Sequence, residues 1–583
     1  MEELKRNGDG ARKKEQGFKN KAQGPKSKRY LKIFGFLTFL VLINIFAQNF
    51  YTRFDFTKER RYTLSAKTRD VLKNAKKDIL ITVFLDGEMP SAFKRLRNAT
   101  RDLLADYKAE AGVNIKILFV DPLEGKIAND QEEVITQLAE IGINPLAVNI
   151  KSDAGITQKI IFPMALIESD DKPIAINLLS KTGGAATDYE AKITSSIQDL
   201  EYIVTSAIKR LQTGYSPNIG FTEGHGEPNN QQLYDAIVSL SSNYYVTRVD
   251  LNLANKEGLD NLDVMVIAKP QKALTELEKY KINYFVMKGG RVVWAIDQVN
   301  ANLDQLQQQP QMMANNYDLN LNDMLFEYGA RVNYNLVTDV HSAMIPIATG
   351  SGQQAQIDVA PWFYFPVLLP DTSNLVVKNI DGVKAEFAST VDTIGVANVN
   401  KKIILSTSNF NKIFDTPKLL SLQMIAEQPK QEEYTSVPKP VGVLLEGSFK
   451  SVFLNRPVPE GITENYNVPA QSKLTKMIVI GDGDVFSNQV NKNDNSTFPL
   501  GFDRYTQQNF GNKALLLNIA DYFTDADNLI ALRNKEIKER LLDKTVLRTE
   551  KLKWQLINSL APLALLICFA IFQHYYRKHK YAK

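Results

Sequence analysis

The chain has 583 residues, 70 of them Lys or Arg and 65 Asp or Glu, for a formal charge of +5, and at roughly 100–200 residues per domain it is too long for one core. The basic excess sits at the ends: ten basic against four acidic residues precede Tyr30, four basic and no acidic residues fall in the last eleven, and the stretch between is mildly acidic. That distribution excludes a nucleic-acid binder, which needs clustered Lys and Arg against phosphates, and the single cysteine, Cys568, excludes an intramolecular disulfide, a Cys-rich zinc site and a Cys nucleophile in any soluble part.

Residues 1–30 read as a basic cytoplasmic tail and 31–50 as a first transmembrane helix, since Ile33 to Ala47 is interrupted only by Thr38 and Asn44 and approaches the roughly 20 residues that cross about 30 Å of hydrocarbon. The flank Ala47-Gln48-Asn49 lacks the small-x-small cleavage pattern, so the span is expected to be a retained signal anchor. Residues 51–214 read as a membrane-proximal α/β domain: a helix capped by Ser65, strand Ile79–Leu85, helix Phe93–Glu110 and strand Asn114–Val120. A helix around 132–141, strands around Leu146–Ile150, Gln158–Ile167 and Ile174–Leu178, and a helix from Tyr189 to Leu211 follow. The strand–helix–strand order predicts parallel pairing.

Residues 215–534 read as a second α/β domain, beginning with strand Asn218–Phe221, the loop TEGHGEPNN and helix Gln231–Leu240. Strands Tyr245–Val249 and Val264–Ala268, helix Leu274–Met287, the pair Gly289-Gly290 and strand Arg291–Ile296 continue the alternation, which predicts an open, mostly parallel sheet of flavodoxin or Rossmann type. Residues 300–322, rich in Gln and Asn, read as a polar loop, after which helix Met324–Tyr328 and strand Val332–Val337 are expected to resume the sheet. A β-rich insertion covers about 345–440, and strands Val441–Leu445 and Met477–Ile480 with helix Lys513–Thr524 return to the α/β pattern.

Residues 535–554 read as a charged helical stalk, 555–573 as a second transmembrane helix with Trp554 and Tyr575-Tyr576 at its interfaces, and 574–583 as a second basic tail. The fold class expected is thus α/β, a multidomain extracytoplasmic region flanked by two single transmembrane helices. Positive clusters at both ends predict cytoplasmic termini, a lipid-bilayer anchor and, in a bacterium, an inner-membrane protein with a large periplasmic region.

Chemistry-bearing motifs are few. Neither GxxxxGK[ST] nor GxSxG is present, and the four histidines form no HExxH, so ATP hydrolysis by this chain is excluded. One candidate ligand loop is Glu223, His225 and Glu227 with interleaved glycines, placed after a strand and before a helix, where an anion site or a carboxylate–histidine pair is found. The glycines are expected to turn the loop sharply and expose the imidazole, although a purely structural turn accounts for the same residues, because one His and two Glu make no complete metal set. Gly481-Asp482-Gly483-Asp484 also ends a strand, but Val485, Phe486 and Ser487 do not continue an EF-hand, so a capped turn is expected. Gly183-Gly184 reads as a turn. No catalytic residue, cofactor or metal is assigned.

Taken together, RFDFTKERRYTLS after the first span, FVDP at 119–122, FTEGHGEPN at 221–229, GGRVVWAID at 289–297, VIGDGDVFSN at 479–488 and GNKALLLNIADYF before the last span resemble the gliding-motility-associated ABC transporter auxiliary (substrate-binding-like) proteins of Bacteroidetes, the GldG family. The resemblance covers nearly the whole chain and implies a non-enzymatic extracytoplasmic subunit beside a polytopic ABC permease and a cytoplasmic ATP-binding subunit. It implies no catalytic residues. The alternative class is a membrane-tethered periplasmic enzyme or ligand-binding protein using the His225 loop, and the lack of a soluble thiol argues against amidotransferase chemistry there.

Overall fold

A computed structural model of the chain describes residues 35–36, 38–39, 63–152, 155–170, 172–180, 189–349, 356–426, 431–525, 527–534 and 549–581. The basic tail 1–30, nearly all of the span 31–50, Gly183-Gly184 and 535–548 of the stalk lie outside them. By its contacts the chain divides at Tyr62/Thr63. The body from Thr63 onward is described below.

Its first part begins with helix α1 (Ala66–Lys73), capped by Ser65, whose side chain accepts the Thr68 N–H as capping residues do. Strand β1 (Ile79–Val83), helix α2 (Ser91–Glu110), strand β2 (Ile115–Phe119) and helix α3 (Ala128–Glu140) follow. The hairpin β3 (Leu146–Ser152) and β4 (Gly155–Ile161), the hairpin β5 (Met164–Ser169) and β6 (Lys172–Asn177), and helix α4 (Tyr189–Thr213) complete this part. Its four-stranded sheet has the order β2-β1-β5-β6. Only β1 and β2 are parallel, whereas β5 runs antiparallel to both β1 and β6, which corrects the expectation of a mostly parallel sheet here. The expected strand 158–167 is two strands because Pro163 has no N–H to give a ladder, and the chain breaks there before β5. Leu72, Phe93, Leu96, Leu104, Tyr107, Ile81 and Ile208 share one core beneath α1, α2 and α4.

The second part opens with β7 (Asn218–Glu223), helix α5 (Tyr234–Ser241), β8 (Tyr245–Asp250), β9 (Val264–Ala268), helix α6 (Glu276–Met287) and β10 (Arg291–Ala295). The long strands β11 (Ser342–Thr349), β12 (Gln356–Pro370), β13 (Val399–Ser406), β14 (Pro440–Gly447) and β15 (Thr475–Ile480) precede helix α7 (Asn512–Thr524). The main sheet runs β11-β12-β13-β14-β15-β10-β9-β7-β8. From β15 to β8 every neighbour is parallel; from β15 to β11 every neighbour is antiparallel. Parallel pairing therefore holds for one half of the sheet only.

Taken in order of appearance, the parallel half reads 2-1-3-4-5, the doubly wound order of flavodoxin-like sheets. Its strands β9, β10 and β15 are buried on both faces with period two: Val264, Val266, Ala268, Val293, Ile478 and Ile480 pack under α5 and α7, while Met265, Ile267, Val292, Trp294, Met477 and Val479 pack under α6. The residues of the β-rich insertion do not form a separate module, because β12 and β13 extend this same sheet.

Two further expectations are corrected. The segment 332–337 does not resume the sheet: strands Ala330–Val332 and Asn335–Asp339 pair instead with Val391–Thr393 and Asn411–Asp415. The polar loop 300–322 contains helix Leu303–Gln308 and strand Gln311–Asn316, because Met312 and Ala314 alternate into a small core with Trp362 and Phe365. The last helix, α8 (Lys551–Tyr581), has 31 residues, a most apolar window of mean hydropathy 2.0 and no buried residues. It is long and apolar enough to cross a membrane.

Candidate functional site

In doubly wound sheets ligands lie outside the carboxyl ends of the strands, where the strand order reverses. Here that point lies between β7 and β9. Strand β7 closes with Glu223 and the loop after it carries His225 and Glu227; Lys269 follows β9, Asp297 lies just past β10, and Asp482 and Asp484 lie just past β15. One edge of the sheet thus gathers the buried His225, Asp297 and Asp482 with the half-buried Lys269 and Asp484.

Gly224 and Gly226 have φ of +113° and +82°, values that only glycine adopts without strain, and they fold the loop back so that His225 points inward. The imidazole is 7% exposed, which corrects the expectation of an exposed ring. Its Nε2 lies 3.1 Å from Glu278 Oε2. That carboxylate belongs to the first turn of α6, where it also accepts the Thr275 N–H at 2.8 Å and the Thr275 hydroxyl at 2.7 Å in a capping box. On the other side Glu227 accepts the His225 N–H at 2.5 Å and brings its second oxygen 3.7 Å from Nδ1. The His225 carbonyl in turn accepts the N–H groups of Gln271 and Lys272, from the loop after β9.

At the switch point His225 therefore links the loop after β7 to the loop after β9 and to α6. Glu223 is not part of this link, since its carboxylate pairs with Arg248 Nε at 3.0 Å. Replacing His225 by Ala is expected to leave Glu278 and Glu227 buried with a cavity between them and to cost about 1–3 kcal/mol. His225→Gln, which keeps a donor, should lose less; thermal melting of the two variants checks the order.

The second cluster lies one strand over. Asp297, Asp482 and Asp484 each bring a carboxylate oxygen within 4.8 Å of the others. Lys269 Nζ pairs with Asp484 and lies 3.5 Å from Asp297, so an ammonium already serves the space a cation would take. The Gly483 N–H donates to Asp297 at 2.6 Å, and Asp482 accepts the N–H groups of Asp484 at 2.9 Å and Glu386 at 3.0 Å. Burial raises Asp482 well above the usual carboxylate range, and repulsion from Asp297 and Asp484 adds to it. Burial likewise raises Asp297 and Asp484, with Lys269 pulling the other way. Burial alone would lower the Lys269 ammonium, but Asp484 and Asp297 more than offset it and leave it above its ordinary value. Charge held this way ties β9, β10 and β15 to the insertion through Glu386.

Of the three residues singled out in the loop, the structure brings His225 and Glu227 together and sends Glu223 elsewhere. Glu278 was missed, although Thr275-x-x-Glu278 is a legible capping signature. Asp297 and Lys269 were missed as well. Taking the residue after each apolar parallel strand, the rule just applied to the fold, would have found both.

Residues 216–519 match a family described as an ABC-type uncharacterized transport system, and residues 58–168 match a domain of unknown function, DUF7088. An uncharacterized protein of Borreliella burgdorferi is 20% identical over 525 residues, covering 87% of this chain and 88% of that protein. Among solved structures, the N-terminal domain of mmIFT52 is 13% identical with a TM-score of 0.29, covering 53% of this chain and 98% of that one. A ThuA-like protein from Bacteroides uniformis is 12% identical with a TM-score of 0.26, covering 54% of this chain and 94% of that one. The family match spans more than half of the chain and contains the whole carboxyl edge just described, so this protein belongs to the ABC-type uncharacterized transport system family.

Proposed function

We propose that the protein is a non-enzymatic, membrane-anchored auxiliary subunit of an ABC transporter, with both termini cytoplasmic and the α/β body periplasmic. In this reading it couples or presents substrate to a polytopic permease and a cytoplasmic ATP-binding subunit. One observation supports the non-enzymatic part: at the switch point the imidazole of His225 is buried and engaged by the chain's own Glu278 and Glu227 rather than turned out towards a ligand. The family match supports a transport role, and helix α8 supports a membrane anchor. The motifs quoted from 53–65, 221–229 and 479–488 support placing that role in gliding motility.

The test is purification of the tagged full chain from its own membranes in mild detergent, which should bring down a permease and an ATP-binding subunit. Leu565→Arg puts a charge in mid-span at a cost of about 2.5–3.5 kcal/mol on insertion scales and should weaken that recovery, whereas His225→Gln should not. For topology, single cysteines at Gly17, Leu253 and Lys580 in a Cys568→Ser background should react with an impermeant thiol reagent in spheroplasts only at Leu253, which is 79% exposed. Labelling at Lys580 but not Gly17 defeats the two-pass arrangement. Loss of function in a folded, partner-bound His225→Gln protein defeats the non-enzymatic reading.

A further inference from the structure

Asp482 lies just past β15 and is fully shielded from solvent. Among the described residues its oxygens accept only backbone N–H groups, that of Asp484 at 2.9 Å and that of Glu386 at 3.0 Å, and no ammonium or guanidinium stands within ion-pair distance of it. The ammoniums of this edge are engaged by other carboxylates: Lys269 by Asp484 and Asp297, Lys384 by Glu386 at 2.9 Å and by Asp503 at 3.9 Å. Asp297, Asp482, Asp484, Glu386 and Asp503 are thus set against two cations, Lys269 and Lys384. Tyr317 adds a phenol whose ionisation is opposed by burial and then by Asp297.

A carboxyl group taken out of water without a counter-charge stays neutral, and where carboxylates share a buried space one of them keeps its proton. Asp482 is the member placed to do so. It is the most deeply buried of the three Asp whose oxygens lie within 4.8 Å of one another, it lacks a cation, and burial, then Asp297, Asp484 and Glu386, all raise it. A neutral carboxyl still accepts both of its N–H groups. The Glu386 bond and the Ser389 N–H, donated to the Gly481 carbonyl at 2.6 Å, lay residues 386–389 of the insertion across the end of β15. A charge on Asp482 would repel the Glu386 carboxylate in that same segment.

We propose that Asp482 keeps its proton in the folded protein at neutral pH and acts as a pH-sensitive latch, whose ionisation in more alkaline surroundings frees residues 386–389 from the end of β15. An unfolded Asp releases its proton near about pH 4. Above that the folded state binds one proton more than the unfolded state, so each further pH unit costs about tenfold in the folding equilibrium until Asp482 itself ionises. The latch does not depend on the transport reading.

The test compares urea unfolding of the full chain and of Asp482→Asn, both in mild detergent, at pH 5, 6 and 7. The amide gives up one of the two acceptors, so a loss that is the same at every pH is expected. The ratio of the two unfolding constants should in addition change by about tenfold per pH unit, because only the unaltered chain releases a proton from this position on unfolding. A ratio independent of pH overturns the proposal. Hydrogen exchange of residues 386–389, corrected for the intrinsic effect of pH, should quicken above neutral pH in the unaltered chain and not in the variant; exchange that stays constant in the unaltered chain overturns the latch. Infrared spectra at pH 7 should show the carbonyl band of a neutral carboxyl group, lost in Asp482→Asn. Should the variant fail to fold, that band in the unaltered chain decides alone, and its absence overturns the proposal.

Discussion

Lys269→Ala is expected to destabilise the body by about 3–5 kcal/mol, the loss that follows when one partner of a buried charge set is removed and the others stay behind. Its ammonium, 15% exposed, is shared by Asp484 and Asp297, and Asp482 next to them is fully buried. Without it the folded protein must keep these carboxylates neutral. Their folded pKa values, already raised, would rise further, so the folded state binds protons that the unfolded state has released. Stability contributed by such acids is present below their unfolded pKa, near 4, and is lost as pH rises through the folded value. The destabilisation should therefore be greater at pH 8 than at pH 5. Urea midpoints of the variant and the unaltered chain at the two pH values measure this directly, and a loss independent of pH would show that the ammonium is not what holds the carboxylates in place. Asp484→Asn added to Lys269→Ala should recover part of the loss, most at the higher pH.

Arg533→Ala is expected to cost a similar amount, about 3–5 kcal/mol, for a different structural reason. Arg533 closes the short helix Leu529–Asn534 and is 5% exposed. Its guanidinium donates to Asn518 Oδ1 at 2.8 Å and to Asp521 Oδ2 at 3.3 Å on α7. It lies 3.9 Å from Asp199 and 4.5 Å above the ring of Tyr202, both on α4. One side chain therefore binds the last turn of the body to both of its parts, and truncating it leaves Asp199 and Asp521 buried without a counter-charge. Arg533→Lys should fail to restore stability, because an ammonium cannot reproduce a planar fork that stacks on an aromatic ring while donating to both Asn518 and Asp521. Hydrogen exchange would locate the effect: faster exchange in both α4 and α7 is expected, and faster exchange confined to residues 529–534 would mean the arginine only tethers its own turn.

Much of the second part was legible because strands β9, β10 and β15 are buried on both faces. Runs such as Val264–Ala268 and Met477–Ile480 are continuously apolar, and such runs between helices of amphipathic spacing have few other readings. Strand direction was less legible in the first part. The alternation of Met164–Ser169 is the same whether its neighbour runs with it or against it, and the tight turn at Asp170, with φ of +49°, joins β5 to β6 as a hairpin. Composition misled at Gln311–Asn316, where two apolar residues spaced by one are enough to bury a strand. The candidate loop was found but turned the wrong way, since nothing near His225 in the sequence discloses that its partner is Glu278, 53 positions later.

The route of the chain through the main sheet bears on how the protein is made. Val292 on β10 is the register partner of Met477 on β15, so roughly 180 residues must be synthesised before the parallel half is complete, and a closure of that length is slow to find its partner. Until then β10 has one finished neighbour, β9, and one open side, while every residue of the insertion passes by as a possible false partner. The first part, whose core is built from residues 64–211, closes no strand pair over so long a separation and can settle earlier. Biogenesis is thus expected to proceed in two stages, with a long-lived intermediate whose open sheet needs shielding by a holdase chaperone. Truncations that end shortly before Thr475 should accumulate in that state and be degraded back to the first part.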